Sequence, residues 1–140
     1  MLPKIPKIND QNQVVGETRI PEAVENGWWR RVCRVFVFDT AGNILLQRRS
    51  VNHKAFPLRW DLAAAGHVDV GENELQAAKR ETKEEIGLEV ELKSIAEAFP
   101  LPPNEGKVFN YIYKTTVPVG VEIKIDNHEV SEVRWLNIAE

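Results

Sequence analysis

Residues 66–88 read GHVDVGENELQAAKRETKEEIGL, and this stretch decides how the rest of the chain is interpreted. Its second half predicts a helix between Asn73 and Gly87. Asn73 is a good N-cap, and Gln76 follows three residues later, as in a capping box. Gly87 supplies the left-handed residue that ends many helices. We therefore expect one well-defined helix, preceded by the loop that begins at Gly66.

The predicted helix has an apolar stripe with an acidic face beside it. The stripe has residues spaced three and four apart: Leu75, Ala78, Thr82 and Ile86. The acidic face has three side chains at i, i+3 and i+4, with Glu74 near the same line: Glu81, Glu84 and Glu85. At about 100° per residue the two faces adjoin, so the carboxylates are expected at the edge of the core.

Such an acidic face has two interpretations. Like charges at i,i+4 cost a few tenths of a kcal/mol on a solvated helix and more when they are desolvated. A hard divalent cation such as Mg²⁺ removes that penalty, because it binds carboxylate oxygens while bridging to phosphates. The alternative is an ordinary solvated face on which Arg80 and Glu84 form an i,i+4 ion pair.

The spacing of the whole stretch favours the cation. Gly66 is followed after five residues by Glu72, and after seven more by Arg80-Glu81, with Glu84-Glu85 and Gly87 completing the pattern. This resembles the Nudix box, G-x5-E-x7-R-E-U-x-E-E-x-G-U, in which U is a bulky aliphatic residue. All seven fixed positions match. Thr82 departs from the pattern at a U position, where we expect an adjustment of packing without loss of the site.

The resemblance implies an α/β fold, a Nudix-type α/β/α sandwich with a mixed β-sheet, in which the box forms a loop–helix–loop catalytic motif. It implies a catalytic set of Glu81, Glu84 and Glu85. Glu81 and Glu85 would be the main metal ligands, with Glu84 a further ligand or a neighbour of the ligands. The carbonyl oxygen of Gly66 would complete the site, and the cofactor would be Mg²⁺ or Mn²⁺.

The resemblance assigns supporting roles as well. Glu72 and Arg80 would pair to hold the loop on the helix, and Gly87 would end the helix. The general base could be a glutamate outside the box, Glu105 or Glu129, or a box glutamate. Substrate phosphates could be contacted by three basic side chains of the preceding strand and loop: Arg48, Arg49 and Lys54.

The sequence around the box is similar to the Nudix subgroup that contains isopentenyl-diphosphate isomerase and its hydrolase relatives. Those isomerases carry a catalytic cysteine in a Cys-Gly-His run, where this chain has Ala65-Gly66-His67. Alanine cannot shuttle a proton, and Cys33 lies in a predicted strand. We therefore expect a diphosphate hydrolase, with an isomerase-like enzyme and a non-catalytic nucleotide-binding module as the alternatives.

Outside the box the pattern predicts mainly strands, which are rich in β-branched and aromatic residues. The expected segments are a hairpin over 8–20, an antiparallel pair at 31–38 and 44–49, extended chain at 60–70, and strands at 88–99, 108–119 and 133–138. Strands around one central helix favour an α/β fold with a mixed sheet. We expect residues 1–7 to form a loose arm and residues 8–140 a single domain.

Composition limits the partners. The 140 residues carry a net charge of −3, which argues against sequence-independent nucleic-acid binding. A single cysteine excludes an internal disulfide and favours a cytoplasmic location, and no apolar run approaches the roughly 20 residues of a membrane helix. The expected partner is a small diphosphate substrate, with a homodimer possible, and neither a nucleic acid nor a membrane.

Overall fold

The computed structural model describes residues 3–53, 55–100 and 106–138, and within these ranges the fold consists of β-strands and two helices. In chain order the elements are β1 (Lys4–Ile8), β2 (Val14–Arg19), α1 (Ile20–Asn26), β3 (Arg30–Asp39), β4 (Asn43–Arg49), β5 (Trp60–Leu62), β6 (Ala64–His67), α2 (Glu74–Ile86), β7 (Lys93–Pro100), β8 (Val108–Val117) and β9 (Val130–Asn137). The predicted α/β class is confirmed.

The main sheet of the described residues is mixed, as predicted. Its central order is β5-β4-β3-β8-β7, with β6 paired to β3 and β9 paired to β4. β3 and β8 run parallel along their whole length, and the other neighbours are antiparallel. β8 occupies one edge of β3, so β6 and β4 share the other edge, β6 along 32–35 and β4 only at Phe38. The free side of β6 is therefore available to helix α2.

Helix α2 begins and ends where the sequence predicts. The Asn73 side chain accepts a hydrogen bond from the Gln76 N–H, the Gln76 side chain accepts one from the Asn73 N–H, and Gly87 adopts φ 70°. The helix packs on β6 and β3, with Ala77, Ala78, Thr82 and Ile86 buried. Leu75 was expected in the apolar stripe and is instead 39% exposed, because the buried face begins one turn later.

The N-terminal segment corrects two expectations. Residues 4–7 are not a loose arm, since β1 pairs with β2 and Ile5 is fully buried. β1 and β2 form a separate sheet of only two strands. Pro6 is tolerated there because each of the two strands is an edge. The hairpin expected over 8–20 is present but shifted, and its last residue begins α1, a short helix that the strand pattern did not predict. Similarly, the strand expected from residue 88 starts at Lys93.

Neither helix of the described ranges combines the length and apolar character needed to cross a lipid bilayer.

Candidate functional site

Three carboxylates from separate parts of the chain meet at one place. Glu81 and Glu85 project from α2, and Glu129 immediately precedes β9. Each presents a carboxylate oxygen, and these oxygens lie within 4.8 Å of one another. The Glu129 backbone is fixed there, since its carbonyl accepts hydrogen bonds from the Ser50 N–H at 3.0 Å and the His53 Nε2 at 2.7 Å. The site therefore joins the predicted helix to one of the two glutamates considered as a base.

Glu85 is held by neutral donors on both oxygens. Its Oε1 accepts a hydrogen bond from Gln47 Nε2 at 2.8 Å, and its Oε2 accepts one from the Ala65 N–H at 3.2 Å. Gln47 is itself anchored, because it donates to the Ala63 carbonyl at 3.0 Å. Burial, followed by the negative charge of Glu81, raises the pKa of Glu85 well above its usual range. The side chain is thus oriented without a hydrogen bond or ion pair to any lysine or arginine of the described residues.

Glu81 is nearly as buried, with 12% of its side chain exposed. Its Oε1 accepts a hydrogen bond from Arg80 Nη1 at 2.7 Å, yet burial still raises its pKa. Gly66 makes room for this carboxylate. A Cβ at position 66 would come within 2.7 Å of Glu81 Cγ and overlap the carboxylate itself. Only glycine at this position lets the two approach so closely.

Glu84, the third box glutamate, does not join the cluster. Its side chain is 52% exposed and forms an ion pair with Arg80 at 3.3 Å. The solvated interpretation of the acidic face therefore describes Glu84, whereas Glu81 and Glu85 are enclosed between the helix and β6. A role of Glu84 in binding metal stays a prediction.

Arg80 ties the loop to the helix in the way the box spacing suggested. It donates to Glu72 through Nε at 2.7 Å and Nη2 at 3.0 Å, and to the His67 carbonyl at 3.1 Å. Asp69 lies 3.3 Å from the same guanidinium. The hydrogen bond from Arg80 lowers the pKa of Glu72 and raises that of Arg80. A two-pronged contact of this kind fixes orientation as well as charge.

The backbone of the 64–67 strand supplies further groups. The Gly66 carbonyl, expected as a metal ligand, accepts a hydrogen bond from the Cys33 thiol at 3.4 Å. Ala65 turns its N–H toward Glu85 instead. Because the N–H and C=O of one residue in an antiparallel pair point to the same side, the Ala65 carbonyl also faces the helix. Gly66 as a ligand remains an expectation.

The basic residues proposed to contact phosphate are already paired. Arg48 lies 3.4 Å from Glu132 and donates to the Leu58 carbonyl, while Arg49 lies 3.7 Å from Asp61. Among the described contacts neither arginine touches the three carboxylates directly, although Arg49 Nη2 lies 3.0 Å from His53 Nδ1 and that imidazole contacts the Glu129 carbonyl. Their binding of substrate stays a prediction. Lys54 and Glu105 lie outside the described residues.

Gln47 is the functional side chain that the sequence analysis missed. The sequence analysis places it only within the strand expected at 44–49. A signal was present, because Gln47 is two residues from the buried Leu45 and strand alternation points both inward. A polar residue at an inward position needs a partner, and here that partner is Glu85.

The donor set fits a hard divalent cation. Three carboxylates offer oxygen atoms only, two of them resist ionisation, and no arginine or lysine of the described residues contacts Glu85. Mg²⁺ and Mn²⁺ prefer such oxygen ligands. A cluster of carboxylate oxygens in which Glu85 has no cationic partner among the described residues is therefore suited to accept a cation.

Comparison with known proteins gives consistent matches. The model of the NUDIX domain family matches residues 28–140. An uncharacterized Nudix hydrolase of Listeria monocytogenes is 30% identical over 92% of this chain and 76% of its own length. An isopentenyl-diphosphate Delta-isomerase of Photorhabdus laumondii is 28% identical over 94% and 75%. The crystal structure of DR0079 from Deinococcus radiodurans has a TM-score of 0.79 at 23% identity and covers 96% of this chain and 83% of that one, which supports the fold.

Proposed function

The chain belongs to the Nudix family, and from this we propose that it is a Mg²⁺- or Mn²⁺-dependent hydrolase of a diphosphate bond. The substrate would be a nucleoside diphosphate-linked or similar small molecule. Family membership supports hydrolysis of phosphoanhydrides in general. The observation that carries the metal dependence is the approach of Glu81, Glu85 and Glu129 to within 4.8 Å of one another.

Glu81 and Glu85 are proposed to hold the cation. The two side chains share hydrogen bonding in the metal-free protein, where burial favours the protonated form of both. A backbone oxygen of the 64–67 strand would add a ligand, either Gly66, as the resemblance implies, or Ala65, whose backbone faces Glu85. When bound, the cation neutralises phosphate charge and lowers the pKa of a bound water.

Glu129 is proposed as the general base. It would take a proton from the water that attacks phosphorus, as the new P–O bond forms and the bond to the leaving phosphate breaks. Its carboxylate reaches the other two from a different element, so it can accept a proton from a water molecule held beside them. Glu105 and a box glutamate remain the alternatives for this role.

Two other functions are distinguished by specific features. An isomerase of the related subgroup would need a thiol at position 65, which is alanine. Cys33 does not replace it, because burial and then the charge of Glu81 raise the pKa of its thiol to about 12. A non-catalytic nucleotide-binding module would keep the fold without turnover, although it gains nothing from two adjacent buried carboxylates.

The test is a Mg²⁺-dependent screen over nucleoside di- and triphosphates, dinucleoside polyphosphates and nucleotide sugars, with isopentenyl diphosphate as the isomerase substrate. We expect release of phosphate or a nucleoside monophosphate, abolished by Glu85→Gln and retained by Glu91→Gln, whose side chain is 96% exposed. Turnover of isopentenyl diphosphate alone, or turnover that survives Glu85→Gln, would overturn the proposal.

For Glu129→Gln we expect a large fall in kcat, with Mg²⁺ affinity retained. Loss of Mg²⁺ affinity would instead make Glu129 a ligand.

A further inference from the structure

A second cluster of chemically active side chains lies on the opposite face of the main sheet from α2. Cys33, Val35 and Val37 of β3 pack in the core with α2, so the alternate residues Arg30 and Arg34 point to the other face. A side chain at Gly66 would point toward Glu81, on the α2 face of the sheet. His67, the next residue of β6, therefore points to the same face as the two arginines.

The positive charges of this cluster are not neutralised within the described residues. No carboxylate of the described ranges lies within 4.0 Å of Arg30 or Arg34 in an ion pair. Arg31, between them on the other face, does contact Glu74 at 3.8 Å. Arg30 also has a buried Nε with no hydrogen-bond partner among those residues. Buried donors are almost always satisfied, so the unmatched Nε shows that the described residues leave the hydrogen-bonding capacity of the Arg30 guanidinium incomplete.

Neutral groups hold both guanidinium groups in place. Arg30 Nη1 lies 3.0 Å from His67 Nε2, and Arg34 Nε donates to Asn110 Oδ1 at 2.8 Å. Asn110 is fully buried and donates in turn to the Phe99 carbonyl at 3.0 Å. These contacts orient the arginines without cancelling their charge. A planar guanidinium so prepared suits an anion that can accept two hydrogen bonds, as phosphate does.

We propose that Arg30, Arg34 and His67 form an anion subsite that takes a phosphate group of the substrate other than one held at the glutamate cluster. The subsite is coupled to that cluster through the backbone, because Arg80, which contacts Glu81, also donates to the His67 carbonyl at 3.1 Å. The assignment rests on the proposed hydrolysis of a diphosphate compound. It selects substrates that carry negative charge beyond the bond being cleaved.

The subsite can be tested without any metal. Binding of inorganic pyrophosphate to the full chain in EDTA would be followed by NMR titration and by thermal shift. We expect binding by the unmodified protein, weakened about tenfold by Arg34→Gln and by Arg30→Gln, since each removes a charge-assisted hydrogen bond. Lys114→Gln is the matched control, because it removes the same charge from an exposed residue opposite Phe36 on β8.

The subsite would be overturned if Lys114→Gln weakened pyrophosphate binding as much as the arginine changes do. It would also be overturned if pyrophosphate did not bind at all in the absence of metal. If Arg34→Gln fails to fold, Arg34→Lys takes its place, because it keeps the charge and loses the planar fork, and pyrophosphate should still bind more weakly.

Kinetics separate this proposal from the hydrolase itself. With an active substrate, the arginine changes should raise KM about tenfold and leave kcat within about twofold. If the protein is a hydrolase but its KM is unchanged in both arginine variants, the subsite alone is refuted. Metal-free pyrophosphate binding by a chain without turnover refutes the hydrolase alone.

Discussion

Replacing Glu85 with glutamine should raise the free energy of unfolding measured without a metal ion, and it should also remove a proposed ligand of the cation. Two full charges no more than 4.8 Å apart repel by about 3.5 kcal/mol or more at an effective dielectric constant of about 20. Proton uptake by the pair relieves part of this, as the raised pKa values of Glu81 and Glu85 indicate. Glutamine also keeps only one of the two acceptors used by Gln47 and Ala65, which costs about 1 kcal/mol. We expect a net gain of about 1–2 kcal/mol in the free energy of unfolding.

The gain should depend on pH in a defined direction. A carboxyl whose pKa is raised in the folded state binds its proton more tightly there than in the unfolded chain. Its ionisation therefore removes stability as the pH rises above the usual value of 4.5. The variant should thus gain little near pH 4 and most at about pH 8. Urea unfolding in EDTA at both pH values, followed by circular dichroism, measures the difference.

Two comparisons make the result decisive. Glu91→Gln changes the same charge at an exposed side chain and should shift stability by less than about 0.5 kcal/mol. Added Mg²⁺ should stabilise the unmodified protein and not Glu85→Gln, which reverses their order. A variant that is no more stable at about pH 8 than the unmodified chain, or equally stabilised near pH 4, would refute the charge argument.

Three further predictions follow from the backbone and the thiol. Gly66→Ala should displace the Glu81 carboxylate and lower the free energy of unfolding by about 1–3 kcal/mol, measured by urea unfolding. It should also reduce Mg²⁺ affinity at least about tenfold, measured by titration calorimetry. Gly87→Ala, at φ 70°, should lower the free energy of unfolding more than Gly120→Ala at φ 83°, because only the former also meets neighbouring backbone at 3.0 Å. Cys33, buried and with its pKa raised to about 12, should resist iodoacetamide at about pH 8 until the chain is unfolded, as mass spectrometry would show.

Helix α2 could be predicted from the sequence because its determinants are local. The cap at Asn73, the reciprocal Gln76 contact and the left-handed Gly87 lie within fifteen residues and act on that helix alone. The ion pair of Glu72 with Arg80 was implied by the resemblance to the Nudix box, and it too involves only one loop and one helix. The Leu75 error arose because helical periodicity fixes the angle between residues but not which turn first meets the sheet.

The remaining parts of the site depend on pairing between distant strands. The parallel alignment of β3 with β8 and the split of β3 between β6 and β4 have no signature in either strand. Gln47 reaches Glu85 only because β4 lies beside that split, and Glu129 arrives from a turn 43 residues after the end of the helix at Ile86. The loose arm expected over 1–7 was wrong for residues 4–7, because Pro6 is compatible with β1, an edge strand that leaves some N–H groups unpaired.

The edge of β6 explains why two of the three box glutamates differ from the third. Helical spacing places Glu81, Glu84 and Glu85 on one face, so it cannot distinguish them. β6 pairs with β3 on one side only, and its other side is met by α2 through the Ala65 N–H on Glu85 and the His67 carbonyl on Arg80. Glu85, which accepts from this edge, and Glu81, which packs against Gly66, are thereby buried, whereas Glu84 projects into solvent. The free edge of β6 thus supports two carboxylates that repel each other. His67 lies on the same strand, and its side chain contacts Arg30 on the opposite face of the sheet.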